Sequence, residues 1–117
     1  MSNRSPQLLV GDILEAISKI ERYVQSHNAE TFNSDDKTVD AVARNLEIIG
    51  EAAKRMPEEF KSSHCEIEWA KIVGLRNRII HAYFGLDNEI IWNILQHDIP
   101  AFRKAMGAVQ QELSTAL

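Results

Sequence analysis

The segment GLRNRIIHAYFGLD, residues 74–87, places an arginine, a histidine and a tyrosine among apolar residues. A histidine can accept and donate a proton near neutral pH, and an arginine can stabilise anionic oxygens with a planar set of donors. His81 could therefore move a proton at a ribose 2′-hydroxyl or at the leaving 5′-oxygen, while Arg76 stabilises charge developing on the phosphate. The pair is sufficient for metal-free cleavage of RNA to a cyclic phosphate and a free 5′-hydroxyl. The same residue types also occur on helices with a purely structural role, so the chemistry alone leaves both interpretations open.

The spacing of these residues limits how one helix could present them. Arg76 and His81 are five positions apart, so they lie about 140° from each other around an ideal helix, with a rise of roughly 7.5 Å between them. Tyr83, seven positions after Arg76, returns close to its azimuth. Two arrangements remain: the long arginine side chain reaches around the helix, or a second subunit completes the site across a two-fold axis. The spacing favours a composite cleft between two copies.

Apolar residues recur at three- and four-residue steps along most of the chain, which predicts amphipathic helices over 8–24, 36–56 and 68–83 and a fourth from about residue 90. Pro57 ends the second helix, and 57–67 is expected to be a connector that could contain a turn of helix. Asp87 is a candidate N-cap of the fourth helix. The third helix should bury one stripe: Trp69, Ile72, Val73, Ile79 and Ile80.

The connections between these helices are short, which favours antiparallel neighbours. Pro100 lies inside the continuing apolar pattern, so we expect a kink or break close to it. The predicted fold is therefore all-α, an antiparallel bundle of four to five helices that forms a single domain over residues 1–117.

Composition excludes several classes of protein. The 117 residues are 44% hydrophobic and 26% charged, and the net charge of −4 argues against a protein that coats nucleic acid through a broad basic face. No apolar run approaches the roughly 20 residues that span a bilayer, so we expect a cytoplasmic protein without membrane contact. Cys65 is a lone cysteine, and His64–Cys65 lacks the paired spacing of a zinc site. We accordingly expect neither a metal nor a cofactor.

The second helix carries a stripe of charged residues beside its apolar seam. Its members follow one another at steps of four, three, four and four, and they are Asp40, Arg44, Glu47, Glu51 and Arg55. A solvated face with weak ion pairs is the commoner outcome for such a stripe. The alternative is a stripe that lines a cleft or a subunit contact, and Gly50 beside it would permit close approach of another backbone. In a cleft, Glu47 and Glu51 could orient Arg76.

The order of Arg76, four residues, His81, one residue and Tyr83 reproduces an R-x4-H-x-Y motif. Together with its surroundings it resembles the signature of HepT-like toxins of the HEPN superfamily. ARNLEIIGEAAKR at 43–55 is similar to the second helix of that family, and EWAKIVGLRN at 68–77 is similar to its approach to the motif. The resemblance covers most of the chain.

This resemblance implies an all-helical homodimer whose motif helices meet at a composite active site, acting as a metal-independent RNA endonuclease. It further implies a type II toxin–antitoxin pair with an MNT-type nucleotidyltransferase as the antitoxin. Arg76 and His81 would be catalytic, and Tyr83 would receive AMP from the partner. The added phosphate would disfavour RNA in the cleft through bulk and like charge. Asn77, Arg78, Arg44 and Glu51 are candidates to bind RNA or support the catalytic pair.

A second interpretation belongs to a different class of protein. The chain could be a non-catalytic helical subunit that docks on a nucleotidyltransferase and serves as its substrate or regulator. The acidic net charge fits this alternative slightly better than it fits a nuclease.

Overall fold

The computed structural model describes residues 4–85 and 88–115, with side chains described for 4–80 and 88–115. Within these ranges the chain is helical and contains no strand, which confirms the predicted all-α fold. The helices are α1 (Pro6–Val24), α2 (Ala29–Asn33), α3 (Asp36–Lys54), α4 (Glu58–Ser63), α5 (Trp69–Val73), α6 (Leu75–Gly85), α7 (Asn88–Asn93) and α8 (Ile99–Thr115). A π-helical turn, Ile94–Asp98, joins α7 to α8. None of the helices in the described ranges is long and apolar enough to cross a membrane.

The two longest predicted helices form the centre of the bundle. Helix α1 packs against α3 on one side and against α8 on the other. The pKa of Asp12 near the start of α1 is lowered mainly by its hydrogen bond to Arg4 and also by the charge of Arg55 at the end of α3, so these two helix ends are close and the helices run in opposite directions. On α8, Arg103 bonds to Glu21 near the end of α1 at 2.7 Å. The residues between the three helices are almost all apolar and form one continuous core.

The predicted boundaries are correct to within about two residues for α1 and α3, whereas the short helices were not predicted. Helix α1 begins two residues earlier than predicted, because Ser5 caps it and Pro6 occupies its first position. The polar stretch before α3 contains α2, which is closed by a reciprocal cap between Asn28 and Thr31. Phe32 of this short helix is fully buried and packs against Trp92. The connector 57–67 includes α4, which is longer than the single turn expected.

The predicted third helix is two helices rather than one. The break is at Gly74, whose ψ of −7° opens the last turn of α5. Helix α6 then begins with a bond from the Arg78 N–H to the Gly74 carbonyl. Glycine is a poor helix former, so the break costs little at this position. Consequently α5 and α6 can adopt different directions, which a continuous helix could not.

The expected irregularity near Pro100 is a π turn that lies just before the proline. Pro100 has no N–H to donate to the carbonyl four residues earlier. The chain accommodates this by widening the preceding turn, in which the Ile99 N–H bonds to the Ile94 carbonyl. The helix then resumes at Ile99. The predicted N-cap, Asp87, lies outside the described residues.

The predicted buried stripe of the third helix is correct except at one end. Trp69, Ile72 and Ile79 are buried, and Val73 is half-buried. Ile80 was expected in the core, but it is 36% exposed. Ile80 lies beside the buried Ile79 and lines a cleft at the surface of the bundle, which accounts for its exposure.

At Gly50, α3 packs closely against the residues on either side of the break at Gly74. A Cβ atom built at Gly50 would lie 3.4 Å from the Ile72 carbonyl oxygen, 3.5 Å from that of Val73 and 3.6 Å from the Arg76 nitrogen. The α3 backbone therefore packs directly on the backbone of the end of α5 and the start of α6. This is the close approach that the sequence allows at Gly50, and it brings the charged stripe of α3 next to the motif helix.

Two substitutions at Gly50 should separate backbone contact from helix propensity. The Cβ of Gly50→Ala fits at ordinary contact distance, and alanine favours the helix by about 1 kcal/mol, so stability should hold or rise. The longer side chain of Gly50→Leu would press on backbone carbonyls that cannot move aside, so it should lower the free energy of unfolding by about 1–3 kcal/mol. Urea unfolding followed by circular dichroism measures both. A leucine variant as stable as the alanine variant would contradict this close packing.

Candidate functional site

A cleft of about 450 Å³ lies between α3 and α6. One wall comes from successive turns of α3 and the other from the first turns of α6. Its lining residues are Asp40, Ala43, Arg44, Glu47, Arg76, Ile79 and Ile80. The cleft therefore joins the charged stripe of α3 to the first residue of the R-x4-H-x-Y motif.

Helical spacing explains why these residues face one another. On α3 the lining residues follow at steps of three, one and three, and on α6 at steps of three and one, so each set occupies one helix face. The predicted alternative for the charged stripe, lining a cleft, is thus realised for its first three members, Asp40, Arg44 and Glu47. Glu51 and Arg55 continue the stripe beyond the cleft and are exposed.

The backbone of Arg76 is fixed by packing, whereas its side chain is accessible. Its nitrogen lies at the Gly50 contact, which fixes where the residue emerges from the helix. The side chain is exposed and lines the cleft. A rigid backbone with an accessible guanidinium is what the recognition of an anionic group requires.

The described lining of the cleft carries two acidic and two basic side chains. The weak ion pairs that a solvated stripe would form, between Glu47 or Glu51 and Arg44 or Arg55, are absent from the salt bridges within 4.0 Å that join described side chains. Arg76 is likewise not engaged by any described carboxylate at that distance. Arg44, Glu47 and Arg76 therefore keep their hydrogen-bonding capacity for a ligand.

Arg78, two residues after Arg76, has a structural partner. Its guanidinium donates to the carboxylate of Asp98, which is buried at the end of the π turn. Lys71 of α5 approaches the other carboxylate oxygen at 3.6 Å. Asp98 thus forms an ion pair with a cation on each side of the Gly74 break and links α5 to α6. Sequence reasoning missed this role, although an aspartate inside the apolar run IIWNILQHDIPAF is a signal of a buried, paired charge.

The remaining predicted site residues either lie outside the cleft lining or have side chains outside the described residues. Asn77 is exposed, and Glu51 is exposed outside the cleft lining. His81 and Tyr83 belong to α6 by their backbone, and their side chains lie outside the described residues. Among the described side chains, no three of histidine, cysteine, aspartate or glutamate are grouped so that they could hold a metal ion.

The fold and the position of the motif helix beside the cleft define an all-α, HEPN-like bundle. Comparison with known proteins makes the assignment more specific. The family model described as "Ribonuclease HepT-like" matches residues 13–109, which include both walls of the cleft and the whole motif. The chain belongs to the HepT-like family.

Curated relatives agree with this family over nearly their full lengths. A protein of Thermococcus cleftensis named "Probable ribonuclease HepT" is 44% identical over 100 residues, covering 86% of this chain and 91% of the relative. One from Caldanaerobacter subterraneus, named a "Putative RNase", is 34% identical and covers 93% of this chain and 97% of its own. Another of that name from Methanocaldococcus jannaschii is 37% identical, covering 86% and 83% respectively. No solved structure matches the chain significantly.

The different surroundings of two arginines predict different effects on stability. Arg78→Ala leaves the buried Asp98 carboxylate with Lys71 alone, so it should lower the free energy of unfolding by about 1–3 kcal/mol. Arg44→Ala removes an exposed side chain from an open cleft and should change it by no more than about 0.5 kcal/mol. Chemical denaturation of both variants beside the wild type gives the comparison. Equal effects at the two positions would contradict the assignment of Arg78 to a structural ion pair.

Proposed function

We propose that the chain is a metal-independent RNA endonuclease, the toxin of a type II toxin–antitoxin pair. It acts as a homodimer whose active site is composite. Arg76 and His81 are its catalytic pair, and the products carry a cyclic phosphate and a free 5′-hydroxyl. Membership of the HepT-like family and the ribonuclease names of the relatives support the activity. The single structural observation that carries the proposal is Arg76, exposed in a cleft and engaged by no described carboxylate.

In this mechanism each residue acts on a defined part of the RNA. The Arg76 guanidinium binds the two non-bridging oxygens of the scissile phosphate and stabilises the charge that grows on them in the transition state. His81 removes the proton from the 2′-hydroxyl or donates one to the departing 5′-oxygen. Attack of the 2′-oxygen on phosphorus forms the cyclic phosphate and breaks the bond to the 5′-oxygen. Arg44, on the opposite wall, is placed to bind a neighbouring phosphate.

The proposed regulator is an MNT-type nucleotidyltransferase that transfers AMP to the Tyr83 hydroxyl. Tyr83 is seven residues after Arg76 on the same helix, hence at nearly the same azimuth. An AMP group attached there would introduce a negative phosphate near the position proposed for the RNA phosphate. Its charge and bulk both oppose substrate binding.

RNA cleavage in the presence of EDTA tests the activity directly. The wild type should cleave single-stranded RNA, and Arg76→Ala and His81→Ala should each lower the rate by about 100-fold or more, since each removes a transition-state interaction. Arg22→Ala and His97→Ala are matched controls, because both residues are exposed and lie outside the cleft lining. Gel analysis with end-specific phosphatase and kinase treatment identifies the product ends. Equal loss in the control variants would contradict the assigned roles.

The same preparation distinguishes the alternative, a non-catalytic partner subunit. In that case RNA stays intact while the nucleotidyltransferase and ATP still add one AMP, seen by mass spectrometry and lost in Tyr83→Phe. The net charge of −4 is the observation that favours this alternative. Cleavage that depends on Arg76 and His81 would exclude it.

A further inference from the structure

We propose that the cleft between α3 and α6 is a subsite for one nucleotide, in which the Glu47 carboxylate binds the Watson–Crick edge of guanine. The inference rests on the proposed ribonuclease function and adds to it a base preference and the residue that determines it. It concerns binding next to the reacting phosphate, whereas the catalytic pair acts on the phosphate itself.

The dimensions and lining of the cleft suit a single nucleotide. Its volume of about 450 Å³ lies in the range of small-molecule sites. Ala43, Ile79 and Ile80 provide an apolar surface against which the face of a base can pack. Ile80 is exposed in a position where the helical pattern predicts burial, so this apolar surface is accessible from the cleft. Arg44 and Arg76 supply cations for the phosphates on either side of the base.

The two carboxylates in the cleft differ in their availability. Asp40 is exposed and already takes part in another interaction. Glu47 is half-buried in the cleft, and no described cation forms a salt bridge with it. A half-buried carboxylate gains from N–H donors because it has lost part of its water. Glu47 is therefore the carboxylate that accepts hydrogen bonds from the base.

The chemistry of a carboxylate selects among the four bases. An ionised carboxylate only accepts hydrogen bonds, and its two oxygens are spaced for two parallel donors. Guanine offers such a pair on its Watson–Crick edge, the N1–H and the exocyclic amino group. Adenine and cytosine place an acceptor nitrogen beside their amino group, and uracil places a carbonyl on each side of its N3–H. On these three bases an acceptor atom would therefore face a carboxylate oxygen and repel it. Single-stranded RNA exposes this edge for recognition.

Recognition of this kind should appear as a difference in cleavage rate. The substrates are short uridine-rich oligoribonucleotides that carry one guanosine, inosine, adenosine or cytidine at the same position. The wild type should cleave next to guanosine about tenfold or more faster than next to the other bases, as expected for a bidentate contact. Inosine is the sharpest comparison, because it lacks only the exocyclic amino group.

The substitution Glu47→Gln keeps the shape of the side chain and replaces one acceptor with a donor. The readout is the ratio of the two cleavage rates within the variant, and the preference for guanosine over inosine should fall to less than about threefold whatever the absolute rate. Glu15→Gln is the matched control, since Glu15 is an exposed helical glutamate on α1 outside the cleft, and it should keep the wild-type preference. Active wild type without a guanosine preference, or a Glu47→Gln variant that retains it, would overturn the proposal.

A binding experiment separates this inference from the proposed nuclease activity. Titration of the intact protein with guanosine 5′-monophosphate and with inosine 5′-monophosphate, followed by NMR, requires no cleavage. The guanosine nucleotide should bind about tenfold more tightly to the wild type, and the two should bind equally to Glu47→Gln. This result would support the subsite even if no RNA were cleaved. Equal affinities in the wild type would overturn it, even if cleavage were confirmed.

Discussion

The close packing of α3 at Gly50 on the break between α5 and α6 is the constraint on which the site depends. The three atoms nearest to a Cβ built at Gly50 are all backbone atoms of α5 and α6. Since the contact includes the nitrogen of Arg76, it determines where the first motif residue leaves its helix. The same contact places Glu47, one turn before Gly50, on the opposite wall. A larger spacing between the helices would separate the two walls and remove the cleft.

A second contact fixes the break at Gly74, and it is an ion pair rather than close packing of backbones. The buried Asp98 carboxylate holds Lys71 before Gly74 and Arg78 after it. A buried charge is stable only when it is paired, so the contacts of Asp98 with both cations stabilise this part of the bundle. Two arginines that are neighbours in the motif segment therefore have opposite roles. Arg78 forms an ion pair with Asp98, whereas the side chain of Arg76 stays accessible in the cleft.

Much of the fold follows from the sequence because long amphipathic helices can be recognised by the spacing of their apolar residues. The helices around 8–24 and 36–56 and the irregularity near Pro100 could be predicted in this way. The break at Gly74 could not, because the apolar stripe continues through it and glycine is tolerated inside helices at modest cost. The exposure of Ile80 was missed because the cleft that it lines is formed with α3 and is not visible in the pattern of one helix. Phe32 was missed because a five-residue helix is too short to show a period.

The motif residues could be named from the sequence, but their surroundings required three dimensions. Spacing alone placed Arg76 and His81 on different azimuths and left the charged stripe of α3 with two interpretations. The fold brings Asp40, Arg44 and Glu47 to face Arg76, which no pattern within one helix reveals. The pairing of Arg78 with Asp98 joins residues twenty positions apart and is equally invisible to local reasoning.

In the proposed dimer each subunit supplies part of an active site that a second copy completes. Isolated heterodimers of an Arg76→Ala chain and a His81→Ala chain, each inactive with itself, test it most directly. If the site combines Arg76 of one subunit with His81 of the other, one of two sites is intact, and the heterodimer should cleave RNA at about half the wild-type rate. Confirmed heterodimers as inactive as either parent would show that Arg76 and His81 do not combine across the two subunits.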